Sequence, residues 1–163
     1  MDLTQERVRH LFIYDFLTGE FKRRVAAGSG GRIPAGTVVG STRPDGYLKI
    51  LIDGKSYLAH RLAWFYVNGV WPTYEIDHIN GVKADNRIEN MRDVPSFVNR
   101  ENRHRAQRDN KLGVLGVVQY PRGFAANIKI NGKPVYLGYF STAEAAHAAY
   151  VSAKRRHHEG CTI

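Results

Sequence analysis

"EIDHINGVKADNRIENMRDVPSFVN" (75–99) decides the fold. "YEIDHI" (74–79) is a short run of strand type, and "MRDV" (91–94) is a second. Between them "NGVKADNRIEN" (80–90) reads as a long loop with one helical turn, opened by Asn80-Gly81. "PSFVNRENRHRAQR" (95–108) then reads as a helix entered through Pro95, which suits a first helical turn. The order is strand, loop, strand, helix. Neighbours in a strand point to opposite faces, so Asp77 and His78 serve one place only where the strand bends or ends. Asn80-Gly81 supplies that ending.

Working outward, "FIYDFLTGEFKRR" (12–24) reads as a hairpin around Thr18-Gly19, and "GSGGRIPAG" (28–36) as a loop. "YLKILI" (47–52) and "SYLAH" (56–60) flank Asp53-Gly54, a hairpin signature. "RLAWFYVNG" (61–69) reads as a short, mostly buried helix ending at Gly69. Downstream, "DNKLG" (109–113) is a linker candidate. It separates residues 1–108 from a C-terminal module, 114–163, of different rhythm. There "GVVQY" (116–120), "FAANIKI" (124–130) and "PVYLGYF" (134–140) read as three strands divided by turns. In the middle strand Phe124, Ala126, Ile128 and Ile130 share one face; Ala125, Asn127 and Lys129 share the other. "STAEAAHAAYVSAKRRHH" (141–158) is a helix, with Ser141 and Glu144 spaced as a capping box. Lys154, Arg155 and Arg156 sit where the helix dipole favours cations.

Hydrophobic residues make up 43% of the 163, enough for a packed core. No apolar run reaches the roughly 20 residues that span a bilayer. The first dozen residues carry acids early and do not read as a signal peptide. One cysteine, Cys161, leaves no internal disulfide or multi-cysteine zinc site and points to a reducing cytoplasm. The net charge of +9 favours a polyanionic partner. Residues 111–163 carry seven Lys/Arg against two Asp/Glu, net +5, the most basic third.

Asp77, His78 and Asn99 suit metal-assisted phosphodiester hydrolysis. A hard cation such as Mg²⁺ or Mn²⁺ takes oxygen ligands, here a carboxylate and an amide oxygen, with water and phosphate completing the shell. A histidine near its ordinary pKa of about 6.5 is mostly neutral at pH 7 and accepts a proton from water. A further asparagine holds the ring or pins the loop.

The span 60–103 resembles the HNH homing endonuclease family common in bacteriophages. The resemblance lies in His60-Arg61 with Trp64, "DHING" (77–81), "DNRIENMR" (85–92) and the asparagine on the next helix. It implies a ββα-metal core. The general base falls on His78, the metal ligands on Asp77 and Asn99, and the bracing asparagine on Asn90, with Asn86 its rival. The third motif position is Asn99 rather than histidine, a variant that keeps an oxygen ligand; His104 is a late substitute. His60 is structural or contacts phosphate. Arg100, Arg103, Arg105 and Arg108 track phosphates or form a solvated helix face.

Residues 115–156 resemble the APETALA-type (ethylene-response-factor) DNA-binding domain of plants through "GV" (116–117), "GFAANI" (123–128), "YLGYF" (136–140) and "TAEAAHAAY" (142–150). The resemblance implies a three-stranded sheet laid in the DNA major groove with a helix behind it. The DNA-facing places fall on Leu115, Val118, Tyr120, Arg122, Asn127, Lys129 and Tyr136, with Lys133 near. The arginines and tryptophans of the plant domain are mostly absent. Affinity therefore rests on phosphate contacts from Arg122, Lys129 and Lys133, with Tyr120 and Tyr136 packing on backbone or bases. The expectation is an α+β chain: N-terminal hairpins and a ββα nuclease core, then a small antiparallel sheet on one helix. It is expected to be a monomeric, metal-dependent endonuclease acting on double-stranded DNA in the cytoplasm of the host cell, with no membrane. The alternative is a non-cleaving DNA-binding regulator with a decayed nuclease core.

Overall fold

The computed structural model describes residues 3–107 and 109–163. The fold is α+β, with small antiparallel sheets and, among the described residues, four α-helices. None of these helices is long and apolar enough to cross a membrane. The chain resolves into two compact units, Met1–Val94 and Pro95–Ile163.

The first unit opens with helix α1 (Gln5–Leu11), capped by Thr4, whose hydroxyl accepts from Arg7 N at 3.1 Å. The sequence reading missed this helix: it carries one fully buried residue, Val8, too few for a periodic signal. Strands β1 (Phe12–Tyr14) and β2 (Phe21–Arg23) form the expected hairpin, with β3 (Val38–Val39) alongside. Strands β4 (Ser41–Thr42), β5 (Leu48–Ile52) and β6 (Lys55–Leu58) form a second sheet. Asp53 and Gly54 both take positive φ, 47° and 79°, as a two-residue hairpin turn of this hand demands.

Helix α2 (Ala59–Asn68) starts two residues before the expected Arg61 and ends at a left-handed Gly69. The strand pattern of "SYLAH" therefore stops at Leu58, and His60 lies in the first turn of α2. Its buried face, Ala59, Leu62, Ala63 and Phe65, joins Val8, Phe12, Phe21, Ile50, Ile52, Ile76 and Met91 in one core. Strands β7 (Glu75–His78) and β8 (Met91–Val94) pair antiparallel, His78 opposite Met91 and Asp77 opposite Arg92.

The second unit begins with α3 (Ser96–Glu101), six residues where fourteen were expected. Asn102, Arg103 and His104 follow instead of further turns; Asn and His add little helix propensity, and the Asn102 side chain is buried against other partners. Strands β9 (Val117–Tyr120), β10 (Gly123–Ile130) and β11 (Lys133–Phe140) form a sheet in the order β11-β10-β9. Helix α4 (Ala143–His157) packs on it over Val117, Ala126 and Ala146. The cap of α4 is Thr142, whose hydroxyl accepts from Ala145 N at 3.2 Å, and not Ser141. Glu144 therefore falls one place short of a capping box.

Candidate active site and nucleic-acid interface

Strand β7 ends at His78: Gly81 N donates to His78 O at 2.8 Å, turning the chain out of the sheet at a left-handed glycine (φ 70°). Asp77 and His78 are both buried. The His78 ring meets His60 edge to face, centroids 5.3 Å apart, and Tyr47 at 6.0 Å. Its Nε2 lies 3.3 Å from Asn86 Oδ1. With that amide oxygen accepting, Nε2 carries the hydrogen and Nδ1 carries the lone pair. Burial lowers the His78 pKa, so the ring is neutral at pH 7. His60 is pushed down to about 3, first by burial and then by His78.

The asparagines of the loop have separate tasks. Asn86 is 1% exposed, and its backbone carbonyl accepts from Tyr14 Oη at 2.7 Å. Gly19, in the β1–β2 turn, presses on the same spot: a Cβ there would lie 2.5 Å from Arg87 N, at a φ of 74°. Asn90 pins the loop to its own start. Its Oδ1 accepts from Asn80 N at 3.0 Å, and its Nδ2 donates to Asn80 Oδ1 at 3.0 Å and to Asp85 O at 2.9 Å. Arg87 grips Asp85 with two nitrogens, at 2.8 and 2.7 Å, which holds the Asp85 pKa down at about 2. The Asn86 oxygen thus faces the histidine, while Asn90 closes the loop that delivers Asn86.

Asp77 Oδ2 accepts from Arg92 Nε at 2.8 Å and Arg92 Nη2 at 2.7 Å. Sequence reasoning passed over Arg92; the signal was its cross-strand register with Asp77, which an alignment of the two short strands would have exposed. Tyr14, Gly19 and Tyr47 were missed as well, since each reaches the site from a distant hairpin. Among the described residues no three His, Cys, Asp or Glu side chains converge on one point. Asp77 is a carboxylate of the kind taken by a hard cation, which is commonly held by one or two protein oxygens with water and phosphate completing its shell. Asp77 already sits against a cation, the Arg92 guanidinium.

Asn99 lies on α3, half-buried, in the second unit. Arg100, on the same helix, and Arg103 and Arg105 beyond it are exposed. Arg108 lies outside the described residues. His104 is occupied within its own unit: its Nε2 is 3.1 Å from Asn102 Oδ1 and 2.9 Å from Thr162 Oγ1.

On the sheet, the face away from α4 carries Asn127 opposite Tyr136, with Lys129 two residues on. Tyr120 and Tyr139 approach at 6.2 Å on the same face. Tyr120, Asn127, Lys129 and Tyr136 are exposed, as are Arg122 in the β9–β10 turn and Lys133 at the start of β11. Leu115 is half-buried and Val118 exposed. Tyr139, half exposed, was missed; its register opposite Ala125 puts it on this face. The three strands hold Lys129 and Lys133 and no arginine.

Residues 57–101 match the sequence model of the HNH endonuclease family. The match runs from β6 to the end of α3 and supports a nuclease acting on DNA. No curated protein and no solved structure matches the chain.

Proposed function

We propose that the chain is a metal-dependent endonuclease that hydrolyses phosphodiester bonds of double-stranded DNA, of the phage homing type. One observation supports this: His78 is buried with its Nε2 3.3 Å from Asn86 Oδ1, an arrangement that would leave Nδ1 to accept a proton. His78 takes a proton from a water at Nδ1 as that water attacks phosphorus and the bond to the 3′-oxygen breaks. Asn86 fixes the tautomer and Asn90 fixes Asn86. Asp77 and Asn99 would hold Mg²⁺ or Mn²⁺, which when bound would stabilise charge on the phosphate and the leaving oxygen. The ligand role of Asn99 rests on its place in the motif.

The remainder acts in docking. The C-terminal module of residues 114–163 binds duplex DNA through Tyr120, Arg122, Asn127, Lys129, Lys133 and Tyr136, and Arg100 and Arg103 contact phosphates. Its support is the +5 balance of residues 111–163 and the exposure of these side chains. A second reading, a non-cleaving DNA-binding regulator, is favoured by one feature: an arginine occupies the Asp77 carboxylate.

Incubation with supercoiled plasmid separates the two. Relaxation or linearisation with Mg²⁺ or Mn²⁺, abolished by EDTA, supports the endonuclease. Duplex binding with no cleavage in either metal supports the regulator.

A further inference from the structure

Helix α3 lacks the means to order itself. It has six residues, where isolated helices below about 12–15 residues are marginal in water. No side chain caps its first turn. Yet Val98 and Asn102, one turn apart, are buried. The order comes from the end of the chain. Gly160 lies so close to α3 that a Cβ on it would sit 2.0 Å from Val98 O and 2.9 Å from Glu101 Cβ. Its φ is not left-handed, so the glycine is needed there for space and not for backbone freedom. Gly160 N donates to Glu101 Oε2 at 3.3 Å. Thr162 Oγ1 donates to the buried Asn102 Oδ1, and His104 Nε2 closes the triangle with both.

The last turn of α4 adds a fourth tie. Lys154 is 1% exposed, and its ammonium donates to Arg103 O at 2.6 Å, just past α3. A buried ammonium is costly without partners, so this side chain is committed to that carbonyl. The sequence reading gave Lys154 to the helix dipole; burial excludes it from a DNA surface.

We infer that the C-terminal tail, Gly160–Thr162, together with Lys154, is a strap that positions Asn99 by ordering α3. This rests on the reading of Asn99 as a metal ligand. The C-terminal unit then has a task besides docking: it shapes the last third of the nuclease motif.

The test uses the full chain and four proteins: wild type, Gly160→Ala, Thr162→Val and Asn99→Ala. Gly160→Ala adds the methyl that α3 excludes. Thr162→Val removes only the hydroxyl and keeps the shape, so it stands in where Gly160→Ala fails to fold. Hydrogen exchange of the metal-free protein is read first. Faster exchange confined to residues 96–102, with the strand amides of β10 and β11 unchanged, is expected in both strap variants. The Mn²⁺ concentration giving half-maximal plasmid cleavage is read second. It should rise by about 10-fold, the lower end of what outer-shell changes cost in metal affinity. Excess Mn²⁺ should restore the rate, with melting temperature and duplex affinity near wild type, a pattern that general destabilisation does not give. Unchanged exchange over 96–102, or an unchanged Mn²⁺ midpoint in both strap variants while Asn99→Ala shifts it, overturns the strap and leaves the endonuclease reading standing. A midpoint unmoved by Asn99→Ala removes Asn99 as ligand, and the strap's role with it.

Discussion

The loop between β7 and β8 and the open face of the C-terminal sheet handle polar groups in opposite ways. In the loop the key amides are turned inward. Asn86 and Asn90 are buried, Asn80, Asp85 and Arg87 are tied to neighbours, and the whole serves to hold one imidazole. On the sheet they are turned outward: Asn127, Lys129, Tyr120 and Tyr136 stand in solvent. A pinned, buried site fails sharply when one member is lost, because the others keep their desolvation cost without their partner. An exposed face is a sum of contacts and fails by degrees.

The sharpest break in the comparison is at His78. His78→Ala removes the proposed proton acceptor and should lower the cleavage rate by about 10²–10⁴-fold, the usual worth of a general base. Duplex affinity in a gel shift should hardly change. Cleavage near the wild-type rate would take the base away from His78.

Next in size is Asn99. Asn99→Ala should slow turnover at limiting Mg²⁺ by about 10–100-fold, on the scale seen when a metal site loses support. Asn99→Asp keeps an oxygen ligand and should retain more activity than the alanine variant. Single-turnover rates across a Mg²⁺ series decide it; equal activity of Asn99→Ala at limiting metal would move the ligand elsewhere, with Asn102 or His104 next in line.

The two regions were also unequally legible. Strands β7, β8, β10 and β11 declared themselves by period and turn residues, and the hairpin at Asp53-Gly54 by its dipeptide. The packing around His78 did not, because Tyr14, Tyr47 and His60 arrive from hairpins and a helix far away in sequence. The roles of Asn86 and Asn90 stayed open for a related reason: spacing within a loop does not say which amide turns toward the ring. Helix α3 was over-read since "SFVNRENRHRAQR" contains no glycine or proline to stop it. Its end is set instead by tertiary ties at Asn102 and Arg103. Lys154 looked like a terminal cation and is a buried tie, a distinction that only packing makes.

Acid should find the first unit before the second. The buried histidines among the described residues are His60 and His78, both with lowered pKa, His60 to about 3 from an ordinary 6.5. The unfolded chain protonates His60 as pH falls through 6.5, while the native ring resists until about 3. Its neutral state therefore favours folding above pH 6.5, and that contribution is lost as pH falls toward 3. Urea unfolding at pH 7, 6, 5 and 4 should show the loss, at most about 1.4 kcal/mol per pH unit per group. His60→Phe should flatten the dependence. An equally steep dependence in that variant would assign the acid sensitivity to other groups.

The smallest expected effect lies on the open face. Lys129 sits mid-strand, exposed, beside Asn127 and Tyr136, where a phosphate of a docked duplex would reach it. Lys129→Ala removes one cation and no packing. If Lys129 neutralises one phosphate, the slope of log affinity against log salt should shrink by about one unit, since each contact releases close to one counterion. At one salt concentration the loss is modest, so the slope is the quantity to measure, by gel shift over a salt series. Cleavage at saturating DNA should match wild type. Discrimination between duplex sequences should stay weak in both proteins, because the strands offer no arginine to read guanine. An unchanged slope would place the phosphate contacts off this face, on Arg100 and Arg103, and leave the sheet with no part in docking.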